Sequence, residues 1–204
     1  QRRASEPQTL FYRGVFFEND RPLELAPTPR FPNPPELEEP FQTALTEIVD
    51  DVRRESADVV SFAAQVLVQL TDPSPEDNMA LFLEGPLGLD RPHIAQLIMS
   101  GARIPVIMLN GVRLVEQTRD ASVETWIAVH DGTNWNVFDP RTGDRGLPPD
   151  FLVWTVGDEP LVSTMGATLD AVTISIRRQS VSALDLATER AEQAGSQVTE
   201  LSLL

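Results

Sequence analysis

The sequence predicts an α+β fold, with helices first and an antiparallel sheet after them. Two observations carry this. Apolar residues recur at three- and four-residue spacing from Phe41 to Leu70 and again from Ile94 to Ile98. From Ile104 to Val156 they fall instead into short runs punctuated by Asn-Gly and Asp-Gly. Helices followed by strands suit a layer of helix packed on a layer of sheet.

Phe41, Leu45, Ile48, Val49 and Val52 share one side of a first predicted helix, and Val59, Phe62, Ala63, Val66, Leu67 and Leu70 one side of a second. Asp72-Pro73-Ser74-Pro75 stops the second, and residues 78–84 predict a short third. Asp90 precedes Arg91-Pro92-His93, where a carboxylate can accept first-turn N–H groups and proline is tolerated, so a fourth helix starts there and closes at Ser100-Gly101. Ile104 to Leu109 and Val112 to Glu116 flank Asn110-Gly111, the signature of a tight hairpin. Val123 to His130 and Trp135 to Phe138 flank Asp131-Gly132 in the same way. Phe151 to Val156 and Ala171 to Arg177 alternate as further strands, and Ser182 to Asp185 reads as a capping box opening a last helix to about Ala194.

Ahead of the helices, Thr9 to Phe17 is rich in strand formers, and Asn19-Asp20-Arg21-Pro22 supplies a turn. Seven prolines between Pro22 and Pro40 then predict an extended arm along the surface. The organisation expected is an N-terminal strand and proline-rich arm over 1–40, the main domain over 41–180, and a C-terminal helix over 181–204.

With 204 residues, one domain with a substantial core is expected. The net charge of −15 is spread along both halves, so no basic face is available for nucleic acid, and an anionic membrane surface repels the domain. All 16 basic residues are arginine, a pattern we read as coding bias in a GC-rich genome. The chain has no cysteine, which excludes disulfides, thiolate metal sites and thiol catalysis. No apolar run approaches the roughly 20 residues that span a bilayer, and no signal peptide opens the chain. A start on Gln1 and an apolar end at Leu201-Ser202-Leu203-Leu204 lead to the expectation of a segment from a longer protein.

The stretch from Glu124 to Pro140, with Trp126, Asp131-Gly132, Trp135 and Asp139-Pro140, carries the strongest functional signal. Together with Pro86-Leu87-Gly88-Leu89-Asp90 and Ile104-Pro105, it resembles the transglutaminase-like (cysteine-proteinase-like) core over roughly residues 57–157. That superfamily uses a cysteine at a helix start, a histidine on one strand and an aspartate on the next. Here the nucleophile-equivalent position falls between Gly88 and Asp90, Asp90 being preferred, and Glu124 stands where the histidine belongs. Asp139 alone of the three is kept.

The loss of cysteine and histidine makes the chain similar to the inactive transglutaminase-like domains fused to seven transmembrane helices in bacterial membrane proteins. The resemblance implies a non-catalytic, extracytoplasmic (periplasmic) domain of a membrane protein. It also implies an association with retropepsin-like proteases and ATP-grasp peptide ligases. The expected function is binding or scaffolding: a degenerate cleft holding a peptide or protein partner, with no cofactor, no metal and no nucleic acid. Gly88, Asp90, Glu124, Trp126 and Asp139 form the candidate cleft. Competing readings are a carboxylate-dependent hydrolase, a ligand or cation site joined by His93 or His130, and a structural spacer. In the plainest reading Asp90 caps its helix, Glu124 points to solvent, Asp139 anchors a turn, and Trp126, Trp135 and Trp154 are packing residues. Three clustered carboxylates should raise at least one pKa unless an arginine or a cation sits among them.

Overall fold

A computed structural model describes Leu25, residues 28–115, 121–157, Glu159 and residues 173–175. Among these described residues four helices precede four strands: α1 Phe41–Glu55, α2 Val59–Thr71, α3 Asp77–Glu84, α4 Arg91–Gly101, β1 Val106–Arg113, β2 Val123–His130, β3 Trp135–Phe138 and β4 Phe151–Val156. The strands form one antiparallel sheet in the order β3-β2-β1-β4. The architecture is thus the α+β arrangement of helix and antiparallel sheet that the sequence predicts. The strand expected over Thr9 to Phe17 and the final helix from Ser182 lie outside the described residues, as does most of the strand expected over Ala171 to Arg177.

Local chemistry explains where the helices begin. The Asp58 carboxylate accepts from the Ser61 N–H at 2.7 Å while the Asp58 N–H donates to Ser61 Oγ at 2.9 Å, a reciprocal cap that opens α2. At α4, Asp90 accepts from the His93 N–H at 3.1 Å, and Pro92 occupies the first turn, where a missing N–H costs nothing.

The inner faces of all four helices meet one face of the sheet. Leu45, Val52, Val66, Leu70, Phe82, Ile94 and Ile98 pack in one cluster with Ile127, Val129 and Phe138. Strand alternation sends the remaining side chains to the opposite face. There Leu109, Trp126 and Ala128 form a second cluster with Ile107, Val137, Phe151, Val153 and Leu25, and no helical residue takes part. Leu37 packs against the helical cluster, so the proline-rich arm runs from the second face of the sheet at Leu25 to the helical layer.

The Asn110-Gly111 pair does not make the hairpin that its sequence predicts. Both residues lie within continuous β1, and the pairing register with β4 shifts between them. Two contacts explain the difference. Asn110 Nδ2 donates to the Gly157 carbonyl at 3.1 Å, and Asn110 Oδ1 accepts from the Thr125 hydroxyl at 2.8 Å, which fixes Asn110 between its neighbouring strands. Gly111 lets β4 approach closely, since a Cβ there would stand 2.1 Å from the Leu152 carbonyl oxygen. The Asp131-Gly132 turn does form, with Gly132 at φ +100.

Gly111→Ala should therefore lower stability by about 3 kcal/mol through backbone overpacking. Gly132→Ala, where the added Cβ meets open space, should lose only about 1 kcal/mol from its positive φ. Urea denaturation midpoints measure both, and equal losses would contradict the close approach of β1 and β4.

Candidate functional site

The start of α4 is self-contained. Gly88 takes a left-handed conformation at φ +62 in open surroundings, which aims the chain into the helix. Besides capping His93, the Asp90 carboxylate pairs with His93 Nδ1 within the same first turn. Neither residue is buried, and no direct hydrogen bond or ion pair joins Asp90 to Glu124 or Asp139. Asp90 is thus the helix cap expected of it.

Glu124 and Asp139 are brought together on the other face of the sheet. Glu124 lies on the same side of β2 as Trp126, and Asp139 follows directly on β3. Arg141 stands between them. Its Nε and Nη2 donate to the two Asp139 carboxylate oxygens at 2.9 and 2.8 Å, and Nη2 also donates to Glu124 Oε2 at 3.0 Å. The Arg141 backbone N–H adds a further bond to Asp139 at 2.9 Å. Arg113, from the end of β1, lies 3.5 Å from the same Glu124 oxygen and donates to Asp150 at 2.8 Å. The result is an alternating chain of charges: Asp150, Arg113, Glu124, Arg141, Asp139.

The electrostatics follow from this order. Burial pushes the Asp139 carboxyl up, but the Arg141 side chain and backbone bonds and the charges of Arg141 and Arg113 outweigh it, so Asp139 lies below its ordinary value. The Asp139 bond holds the Arg141 guanidinium above its own ordinary value. Arginine therefore sits among the carboxylates, and the repulsion that would have raised a pKa is absent. Nor does Glu124 point to solvent: its side chain is 19% exposed and bracketed by two guanidinium groups. This corrects the plain reading, and its cause is Arg113 and Arg141, whose positions are set by β1 and by the turn after β3.

Asp139 does anchor that turn. Its carbonyl accepts from the Gly143 N–H at 2.8 Å, while its own N–H donates to the Asp144 carbonyl at 2.9 Å. Trp126 is 3% exposed and packs against Phe151 with ring centroids 5.5 Å apart, and its indole N–H is buried without a hydrogen-bond partner. It is a core residue of the second cluster. His130 Nδ1 accepts from the Gly132 N–H at 3.1 Å, and its ring stands edge-on to Trp135 at 5.0 Å. This places His130 beside the turn, as a strand-end residue. Asp131 closes that turn by accepting from Asn134 N–H, Asn136 Nδ2 and Thr133 N–H, which pull its pKa to about 2.

Chemically, the cluster is poorly suited to proton transfer. Asp139 is ionised and saturated with donors, Glu124 accepts from an arginine, and a guanidinium holds the position between them that a bridging cation would need. Among the described residues, no group of three or more His, Cys, Asp or Glu is arranged to hold a metal ion. Sequence reasoning missed Arg113, Arg141 and Asp150. The available signal was Asp139-Pro140-Arg141, because an arginine two residues after a turn-forming aspartate can reach back to it.

Arg141→Gln should raise the Asp139 pKa, since burial then faces only the weaker influence of Arg113, and should cost about 2 kcal/mol by leaving a buried carboxylate underpaired. The sign for pH is that of a depressed carboxyl: its stabilisation is present above the unfolded value near 3.8 and is lost as pH falls through the folded value. NMR titration of the Asp139 carboxyl carbon checks the shift, and a midpoint unmoved by Arg141→Gln would contradict the pairing.

Comparison with known proteins adds one match. Neither the curated proteins nor the solved structures match the chain. The matched segment, residues 1–85, runs from the N-terminus through α3 and ends before Gly88, so it overlaps the span of the sequence resemblance only from residue 57 onward and contains none of the charged cluster. Among the described residues no helix is long and apolar enough to cross a membrane. Residues 1–85 match the family described as inactive transglutaminase fused to 7 transmembrane helices, the family that the sequence resemblance indicates.

Proposed function

We propose that this chain is a non-catalytic, extracytoplasmic binding or scaffolding domain of a membrane protein, built on a degenerate transglutaminase-like core. Residues 1–40 serve as its arm, 41–180 as the domain proper, and 181–204 lead toward the membrane part. The observation that carries this reading is Arg141, which ties together Glu124 and Asp139, the positions that the resemblance aligns with the superfamily's histidine and aspartate. A chain with no cysteine has no thiol nucleophile, and both of these positions are engaged by an arginine instead of a catalytic partner. The family match, to a domain described as inactive and fused to transmembrane helices, supports the same reading.

The partner is a peptide or protein, with the retropepsin-like protease and ATP-grasp ligase systems implied by the resemblance as the first to examine. It docks on the charged side of the sheet. The interface between the helices and the sheet offers little room for it: Ile94, Ile98, Ile127, Val129 and Phe138 fill it at 0–1% exposure.

A photo-crosslinking residue in place of Pro149, exposed beside Asp150, tests this in the membrane-embedded protein. A discrete adduct is expected from position 149 and not from Asp50, exposed on α1. The absence of an adduct at 149, or the same adduct from both positions, would overturn the docking surface.

A further inference from the structure

We infer that Arg113 and Arg141 form a ready-made carboxylate site whose occupant in the free domain is Glu124, so that a partner carrying a carboxylate binds by exchange with it. This rests on the binding role proposed above and names the chemistry of the ligand. Both arginines converge on the same oxygen of Glu124, at 3.5 and 3.0 Å. Each is held from outside by another carboxylate, Arg113 by Asp150 at 2.8 Å and Arg141 by Asp139 in a two-point contact. If Glu124 swings away, the two guanidinium groups therefore keep their positions and already face one another across the vacated place. Ordering long arginine side chains is a large part of the cost of recognising a carboxylate, and here the fold has met it in advance.

Access also fits. The side chains of Arg141 and Arg113 are 51% and 33% exposed, whereas Asp139 is 8% exposed and cannot leave without losing its turn. Glu124 is the movable member: unlike Asp139, it makes no contact with the backbone N–H of Arg141. Tethering gives Glu124 a high effective concentration, so a peptide acid displaces it only at high concentration. Bidentate pairing of guanidinium with carboxylate selects a free peptide C-terminus over a neutral C-terminal amide.

The test uses acetyl-trialanine with a free C-terminal carboxylate, and the same peptide as its amide, titrated into the full 204-residue chain by NMR. Glu124→Gln removes the internal competitor and should tighten binding of the acid by up to about fivefold, the upper end for one partly exposed ion pair. The amide should not bind either protein. Adding Arg141→Gln to Glu124→Gln should abolish the gain. In the natural chain, a high concentration of the acid should shift the Glu124 carboxyl carbon, a readout independent of any variant. Equal binding of acid and amide, no tightening in Glu124→Gln, or an unmoved Glu124 signal would each overturn the exchange. A position-149 adduct that persists undiminished when Arg141→Gln is added would leave the binding role standing while this inference fails.

Discussion

The sheet side of this molecule depends on how one nearly buried carboxylate is kept charged. Asp139, 6% exposed, ends β3 at the point where the chain must turn away from the sheet. An unpaired carboxylate there would either take up a proton or weaken the fold. Arg141 resolves this from two residues further on, using both its side chain and its backbone N–H. Because a guanidinium has more donors than one carboxylate can accept, the same group reaches Glu124 on β2. Arg113 then extends the chain of charges to the end of β1 and the entry to β4. A local turn requirement thereby links every strand of the sheet.

That linkage also decides what the domain can do. Thiol chemistry of the transglutaminase-like kind needs a nucleophile at a helix start, a base that moves a proton and a carboxylate free to orient the base. Here the helix start is occupied by a cap, Asp90, whose carboxylate is committed to the first turn of α4. Glu124 and Asp139, which the sequence resemblance aligns with the other two, are paired with arginine. What remains is a surface of alternating charges on the side of the sheet that carries Trp126, Leu109 and Ala128. Such a surface suits recognition, where preorganised charge contributes specificity.

Much of this was legible in the sequence, and the exceptions share a cause. α1, α2, α4, β2 and the Asp131-Gly132 turn follow from periodicity and turn residues, which are local properties. Asn110-Gly111 was misleading because an identical dipeptide serves a hairpin or a close strand crossing, and the choice belongs to β4, some 40 residues later. The plainest reading put Glu124 in solvent, and no basic residue lies within four positions of it; its partners are 11 residues before it and 17 after it, at Arg113 and Arg141. The carboxylates were visible and the arginines between them were not, because pairing across a sheet is set by register, which a single sequence specifies weakly. Asp58 and Ser61 are the opposite case, a reciprocal cap readable from three-residue spacing and overlooked.

The central claim, that Arg141 is locked between Asp139 and Glu124, is tested most directly by the rotation of its guanidinium group in ¹⁵N NMR. A free arginine side chain averages its two Nη signals by fast rotation about the Nε–Cζ bond. Slow rotation and two separate Nη signals are expected for Arg141, merging when Asp139 is replaced by asparagine. A single averaged Arg141 signal in the natural chain would contradict the lock and, with it, the proposal that this surface is organised in advance for a partner.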